Sequence, residues 1–184
     1  AMAGLTRPYS KLELPIHKIL PDVIAKIRVE KGLVLQAPTG AGKTTVVPLA
    51  ALEAEAISGL IIVMQPRRIA CVGVARRMAE LWGERIGETI GYRMRHDAVV
   101  GNHTRLEVVT EGILLRMLRG SPQLEGVGAV FFDEFHERNI DSDASFALCL
   151  HVQQRHHPNL KLIVMSATFG VLGKRLASLL GDCP

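Results

Sequence analysis

Lys43 and Thr44 stand directly behind Gly40-Ala41-Gly42, at the end of a run, "LVLQAPTGAGKTTVV", that begins as an apolar β-branched segment. Glycines let a backbone curl until several N–H groups point at one anion, and a helix opening near Lys43 adds the positive end of its dipole. In such a loop the lysine can reach the β- and γ-phosphates of a nucleotide, and the Thr44 hydroxyl can bind Mg²⁺. Thr39, Gly40, Ala41, Gly42 and Thr45 complete the candidate cradle. "APTGAGKT" satisfies the phosphate-loop pattern except at Ala37, where the pattern has a glycine. The alternative is an ordinary Gly-rich strand-to-helix turn. An apolar run before the loop and a helical pattern after it favour the cradle. Pro48 removes one helical hydrogen bond just after the first turn, so a kink or a slack turn is expected there.

Nucleotide chemistry needs a second acidic piece, and "AVFFDEFHER" has the right form. Apolar residues deliver Asp133 and Glu134 to a strand end, where one carboxylate can hold a hydrated metal and the next can polarise water. An isolated Asp-Glu pair reads as a solvated strand end; beside a phosphate loop it reads as functional. His136 taken alone is a packing or surface histidine, since no other histidine lies at metal-ligand spacing from it.

These groups require elements that bring them to one place. The strands are read at "GLVLQA", "LIIVMQ", "RLEVVT", "GAVFFD" and "KLIVMS", each followed by a helical segment, with a further short strand around "GETIGYRM". Such runs are apolar without alternation, as strands covered on both faces by crossover helices should be. The fold class is therefore α/β, three-layered, with a mostly parallel sheet and helices on both faces. Ile69, Val72, Ala75, Ala79 and Leu81 mark the buried face of the helix after the second strand, and Ile113, Leu114, Met117 and Leu118 that of the helix after the third. In an open parallel sheet, ligands sit beyond the carboxyl ends of the strands, and that is where the motifs fall.

With 184 residues, 48% of them hydrophobic, the chain can bury one core but not two ordinary ones. Residues 1–184 are read as one domain, with residues 1–13 a peripheral extension. A formal charge of +4 tolerates polyanions without demanding them. Cys71, Cys149 and Cys183 show no C-x-x-C pairing, which argues against a zinc site or a disulfide framework and for free thiols in a reducing compartment. The apolar runs "LIIVM" and "VGAVFF" are far below the roughly 20 residues of a membrane span. "AMAGLTRPYS" has no signal-peptide apolar region, so an intracellular, cytoplasmic location is expected. Asn102-His103-Thr104 fits a glycosylation sequon, read here as chance.

The phosphate loop, "QPRRIACVGVARRMA", "VVTEGILLRML", "DEFHER" and "MSAT" resemble, in order and spacing, motifs I, Ia, Ib, II and III of DEAH-type superfamily-two RNA helicases. "LELPIH" and "GYRMR" also look like that family. Phe135, where most members have alanine, together with "TRLEVVTEGIL", is similar to the HrpB-like branch. The resemblance covers nearly the whole chain and implies a RecA-like P-loop NTPase domain using ATP, or other NTPs, with Mg²⁺. It implies that Lys43 and Thr44 bind phosphates and Mg²⁺, that Asp133 holds Mg²⁺ through water, and that Glu134 is the catalytic base. His136, Ser166 and Thr168 match positions that couple nucleotide state to domain movement. Arg77 falls where the family stacks a guanidinium on the base, a contact that tolerates any base. Arg68, Arg95 and Thr110 match RNA-backbone contacts, which fix register but carry no sequence information. Aromatics are only 4% of residues, so backbone contacts rather than base stacking must hold a single strand.

The family closes its nucleotide site between two RecA-like domains. The second supplies motifs IV to VI, with arginine fingers and an aromatic for the other face of the base, and nothing here matches them. The resemblance thus implies the first half of an ATP-dependent RNA helicase: a monomer acting on single-stranded RNA, with no membrane partner, nearly inactive as an isolated fragment. The competing readings are a DNA translocase and a nucleotide-gated nucleic-acid-binding module without turnover. Intact Lys43, Asp133 and Glu134 argue against the latter.

Overall fold

The computed structural model of the chain describes residues 8–135, 140–168 and 171–181. The apolar runs become strands β1 (Gly32–Gln36), β2 (Leu60–Gln65), β3 (Ile90–Met94), β4 (Asp97–Val99), β5 (Leu106–Thr110), β6 (Val127–Phe132) and β7 (Lys161–Ser166). They form one sheet in the order β1-β7-β6-β2-β5-β3-β4. All neighbours pair in parallel except β3 and β4, an antiparallel hairpin at the edge. The helices are α1 (Leu20–Val29), α2 (Lys43–Glu53), α3 (Arg68–Trp82), α4 (Glu111–Gly120), α5 (Ile140–Arg155) and α6 (Val171–Leu179). Helices α2 to α6 follow the five strands predicted to have one. The strand expected near "GETIGYRM" is β3, whereas α1, β4 and two 3₁₀ turns, Pro8–Lys11 and Pro15–Lys18, were not anticipated.

Successive side chains of a strand point to opposite faces, so each apolar run feeds two cores. Along β2, Ile61 and Val63 enter one core with Ile27 of α1, Leu49 of α2 and Met78 of α3. Ile62 and Met64 enter the other with Leu114 of α4, Cys149 of α5 and Leu176 of α6. Three layers result, and the strand ends are left free at one edge. Among the described residues no helix is long and apolar enough to cross a membrane.

One expectation is corrected. Ile69 does not belong to the buried face of α3, for it is 91% exposed. At 100° per residue it lies about 200° around the helix from Cys71, whose stripe with Ala75 and Met78 is the one that meets the sheet. Tyr9, in the first 3₁₀ turn, is fully buried, and its hydroxyl donates to the Glu53 carboxylate at the end of α2. Pro48 sits inside α2 without ending it. Cys71 and Cys149 are free and buried, and burial pushes both thiols up to about 12, leaving them protonated and inert at neutral pH. Cys183 lies outside the described residues.

Phe135 has a packing role that its departure from the usual alanine left unexplained. Its ring meets Phe146 of α5 edge-on at 5.4 Å and Phe132 of β6 at 6.3 Å, and Phe132 and Phe146 are themselves 5.4 Å apart. The larger residue fills the space between β6 and α5. We expect Phe135→Ala to fold but to lose about 3–5 kcal/mol, through lost transfer energy and the cavity left behind. Urea unfolding measures this, and a loss below about 1 kcal/mol would mean that the neighbours collapse into the space.

Candidate functional site

The carboxyl ends of β1, β7, β6 and β2 lie side by side, and the loops that leave them carry the candidate residues. The phosphate loop leaves β1 and at once bonds to its neighbour, with the Ala37 N–H donating to the Ser166 carbonyl at 3.1 Å. Ala41 closes a turn on Pro38 at 3.1 Å. Gly40 and Gly42 adopt φ of 80° and 90°, the left-handed region that disfavours side chains. A Cβ on Gly40 would meet nothing within 4 Å, so the loop presents backbone to open space there. A Cβ on Gly42 would instead strike the Leu14 side chain at 2.7 Å. Leu14 and Ile16 thus roof the loop from behind, and the Ile16 N–H donates to the Ala41 carbonyl at 3.2 Å. This is the local purpose of "LELPIH", whose paired apolar residues were the available signal.

Gly42 occupies the N-cap position of α2 and has no side chain with which to cap it. Lys43, the first helical residue, is 3% exposed and forms no ion pair among the described residues. A buried ammonium is costly unless an anion meets it. Thr44, next in the helix, donates its hydroxyl to Asp133 Oδ1 at 3.1 Å, which joins the phosphate loop to the acidic strand end. Thr45 is half-buried and Thr39 exposed.

Asp133 is 2% exposed. Burial pushes its carboxyl above the usual carboxylate range and the Glu134 charge adds to this, while hydrogen bonds from Gln65 and Thr44 pull the other way. Gln65, at the end of β2, donates its amide to Asp133 Oδ2, and the Asp133 N–H donates to the Met64 carbonyl at 3.2 Å. Sequence reasoning assigned Gln65 no role. The signal was there: a lone amide closing an otherwise apolar strand at the edge where Asp133 closes another. Glu134 follows with φ of 53°. Among the described residues no group of three or more His, Cys, Asp or Glu gathers as a metal cluster. A hydroxyl beside one carboxylate offers oxygen donors of the kind that suit Mg²⁺, which keeps most of its waters and takes the rest from phosphates.

Ser166 is fully buried at the end of β7; its hydroxyl donates to the Thr168 carbonyl at 2.8 Å and accepts from the Thr168 N–H at 3.3 Å. The turn is thereby held beside the start of the phosphate loop. His136 lies outside the described residues.

The remaining candidates are separate from this cluster. Arg68 Nη2 donates to the Arg95 carbonyl at 3.3 Å, which ties the head of α3 to the β3–β4 turn. Arg95 and Thr110 line one cavity together. Thr110 pairs in register with Gln65, so this second group adjoins the first through β2 and β5. Arg77 is on α3 with its side chain 53% exposed, in an (i, i+3) bridge to Glu80 at 3.2 Å. A surface pair of that kind contributes only about 0.2–0.5 kcal/mol and leaves the guanidinium available.

Comparison with known proteins agrees with this geometry. The DEAD/DEAH box helicase family matches residues 18–173. The ATP-dependent RNA helicase HrpB of Escherichia coli (strain K12) is 48% identical over 171 residues, 93% of this chain and 21% of that protein. The probable ATP-dependent RNA helicase DHX40 of Homo sapiens is 35% identical over 175 residues, 92% of this chain and 22% of its own length. A crystal structure of the Escherichia coli DEAH/RHA helicase HrpB superposes with a TM-score of 0.87 at 48% identity, over 94% of this chain and 22% of that one. The chain spans about a fifth of the length of these relatives. With a parallel RecA-like sheet, a phosphate loop bonded to the acidic strand end, and this match over most of its length, the chain belongs to the DEAD/DEAH box helicase family.

Proposed function

We propose that this chain is the first RecA-like domain of an ATP-dependent RNA helicase, and that residues 1–184 form its ATP-binding domain. The observation that carries the reading is the contact between Thr44 and Asp133, which unites the two halves of a Mg-nucleotide site beside the buried Lys43. Backbone N–H groups from Thr39 to Thr45 cradle the phosphates, and Lys43 neutralises charge on the β- and γ-phosphates. Thr44 and Asp133 would hold Mg²⁺, Asp133 through water. When bound, the ion offsets charge on the phosphate oxygens. Gln65 keeps the Asp133 carboxylate turned toward the loop. Glu134 accepts a proton from the attacking water. Arg77 lies flat on the base, so other NTPs can replace ATP. His136, Ser166 and Thr168 relay the state of the γ-phosphate to domain movement.

Single-stranded RNA runs across Arg68, Arg95 and Thr110, bound through its backbone. The helicase works as a monomer in the cytoplasm, and a second RecA-like domain in the same parent chain closes over the nucleotide. Phosphoryl transfer is catalysed by positioning and charge stabilisation, and arginine fingers from that second domain contribute on the order of 10³–10⁵ in rate.

Three measurements test this. In the two-domain parent, Lys43→Ala should weaken ATP binding measured by calorimetry, whereas Glu134→Gln should leave it intact and slow RNA-stimulated turnover by roughly 10²–10⁴. Equal ATP affinity in wild type and Lys43→Ala would sink the phosphate-loop assignment. Gln65→Leu removes a hydrogen bond to a buried carboxylate and should cost about 1.5–3 kcal/mol of stability. Added Mg-ATP should restore part of that loss in thermal unfolding, and an unchanged melting temperature without ligand would dismiss the contact. The isolated chain should bind Mg-nucleotide weakly and hydrolyse it barely above background, with turnover rising when the second domain is supplied in trans. Robust RNA-stimulated hydrolysis by the chain alone would place the catalytic arginines within it and end the two-domain reading.

A further inference from the structure

Beyond Arg68, Arg95 and Thr110, the structure places two more guanidinium groups on the same surface. A cavity of about 280 Å³ opens between the β3–β4 turn and α4, lined by Arg95, Thr110, Gly112, Ile113, Arg116 and Arg119. Arg116 and Arg119 are three residues apart on α4 and therefore share a face. Neither they nor Arg95 form an ion pair among the described residues.

The nearby carboxylates are already engaged. Arg116 also borders a neighbouring cavity of about 580 Å³ that contains Arg93, His96, Asp97 and Glu107. There Glu107 accepts two hydrogen bonds from Arg93, at 2.6 and 3.3 Å, and Asp97 accepts the Tyr92 hydroxyl at 3.0 Å. Glu111, at the head of α4, is buried. Three guanidiniums thus surround one cavity while the acids beside it have other partners. The hydroxyl of Thr110 makes no capping bond to α4, which leaves it able to donate into the same space.

We infer that Arg116 and Arg119, with Arg95 and Thr110, form a phosphodiester subsite that continues the single-strand path from Arg68 onto α4. The inference rests on the RNA reading above and extends it to two side chains, Arg116 and Arg119, to which the sequence analysis gave no role. The ligand class follows from the chemistry: guanidinium forks match phosphate oxygens, and no aromatic lines the cavity to hold a base. The strand leaves this subsite bound by its backbone alone, without base preference.

The test is fluorescence anisotropy of a 12-nucleotide uridine RNA with the 184-residue chain over a series of salt concentrations. Arg116→Ala and Arg119→Ala should each weaken binding roughly three- to tenfold, and each should make the slope of log affinity against log salt shallower by about 0.7, one phosphate contact on a single strand. Arg116→Lys should retain the slope. Both arginines are exposed, so circular dichroism should show the variants folded, and Arg155→Ala, at the end of α5, serves as a basic control without effect. Unchanged affinity and slope in both alanine variants, with Arg68→Ala and Arg95→Ala still weakening binding, would overturn the subsite and spare the RNA reading. No effect from any of the four would overturn both. In a second arm, inorganic phosphate is titrated calorimetrically. Phosphate binding that Arg116→Ala abolishes, with RNA affinity unaffected, would make this a free-anion site and refute the polynucleotide assignment.

Discussion

A carboxylate buried at the end of a fully enclosed strand must be met by donors, and Asp133 is that carboxylate. Desolvating a charge is among the larger costs a fold can carry, so its neighbours are constrained to supply hydrogen bonds. β6 provides the residue from the middle of the sheet, β2 on one side provides Gln65, and α2 provides Thr44 from beyond β7 on the other. The strand order is what makes this meeting possible. β1 is not adjacent to β6, so the loop that follows it must cross the end of β7, and the bond from Ala37 to Ser166 marks that crossing.

Packing holds the reactive residues from behind. Leu14 and Ile16 press on Gly42, so the loop is braced on its inner side while Gly40 faces open space. Glu134 stands between the buried Asp133 and the buried Phe135, in a left-handed conformation that non-glycine residues adopt at a cost of about 1–3 kcal/mol. Phe135 locked among Phe132 and Phe146 on one side, and Asp133 bonded on the other, hold that turn in place.

The two groups of charged residues at the strand ends differ in how they meet water. Around the phosphate loop they are enclosed: Lys43 and Asp133 are both nearly inaccessible. Around the β3–β4 turn and α4, Arg68, Arg95, Arg116 and Arg119 are exposed, as suits the polyanion contacts proposed for them. Gln65 and Thr110, paired in register, stand at the boundary between the two groups.

Much of this was legible in the sequence. Apolar runs with little alternation specify parallel strands and the edge where the motifs collect, because burial on both faces leaves few polar positions inside a strand. The glycine spacing before Lys43 and the Asp133-Glu134 pair are local signals, and local signals survive in one dimension. Neighbourhood does not. That Gln65 meets Asp133, that Tyr9 reaches Glu53 and that Ile69 turns to solvent depend on strand order and helix rotation, which a periodicity count cannot resolve at the first turn of a helix. Of the three arginines around one cavity, Arg95 comes from the β3–β4 turn and Arg116 and Arg119 from α4; only the tertiary structure decided that they share a space and that the acids beside them were taken.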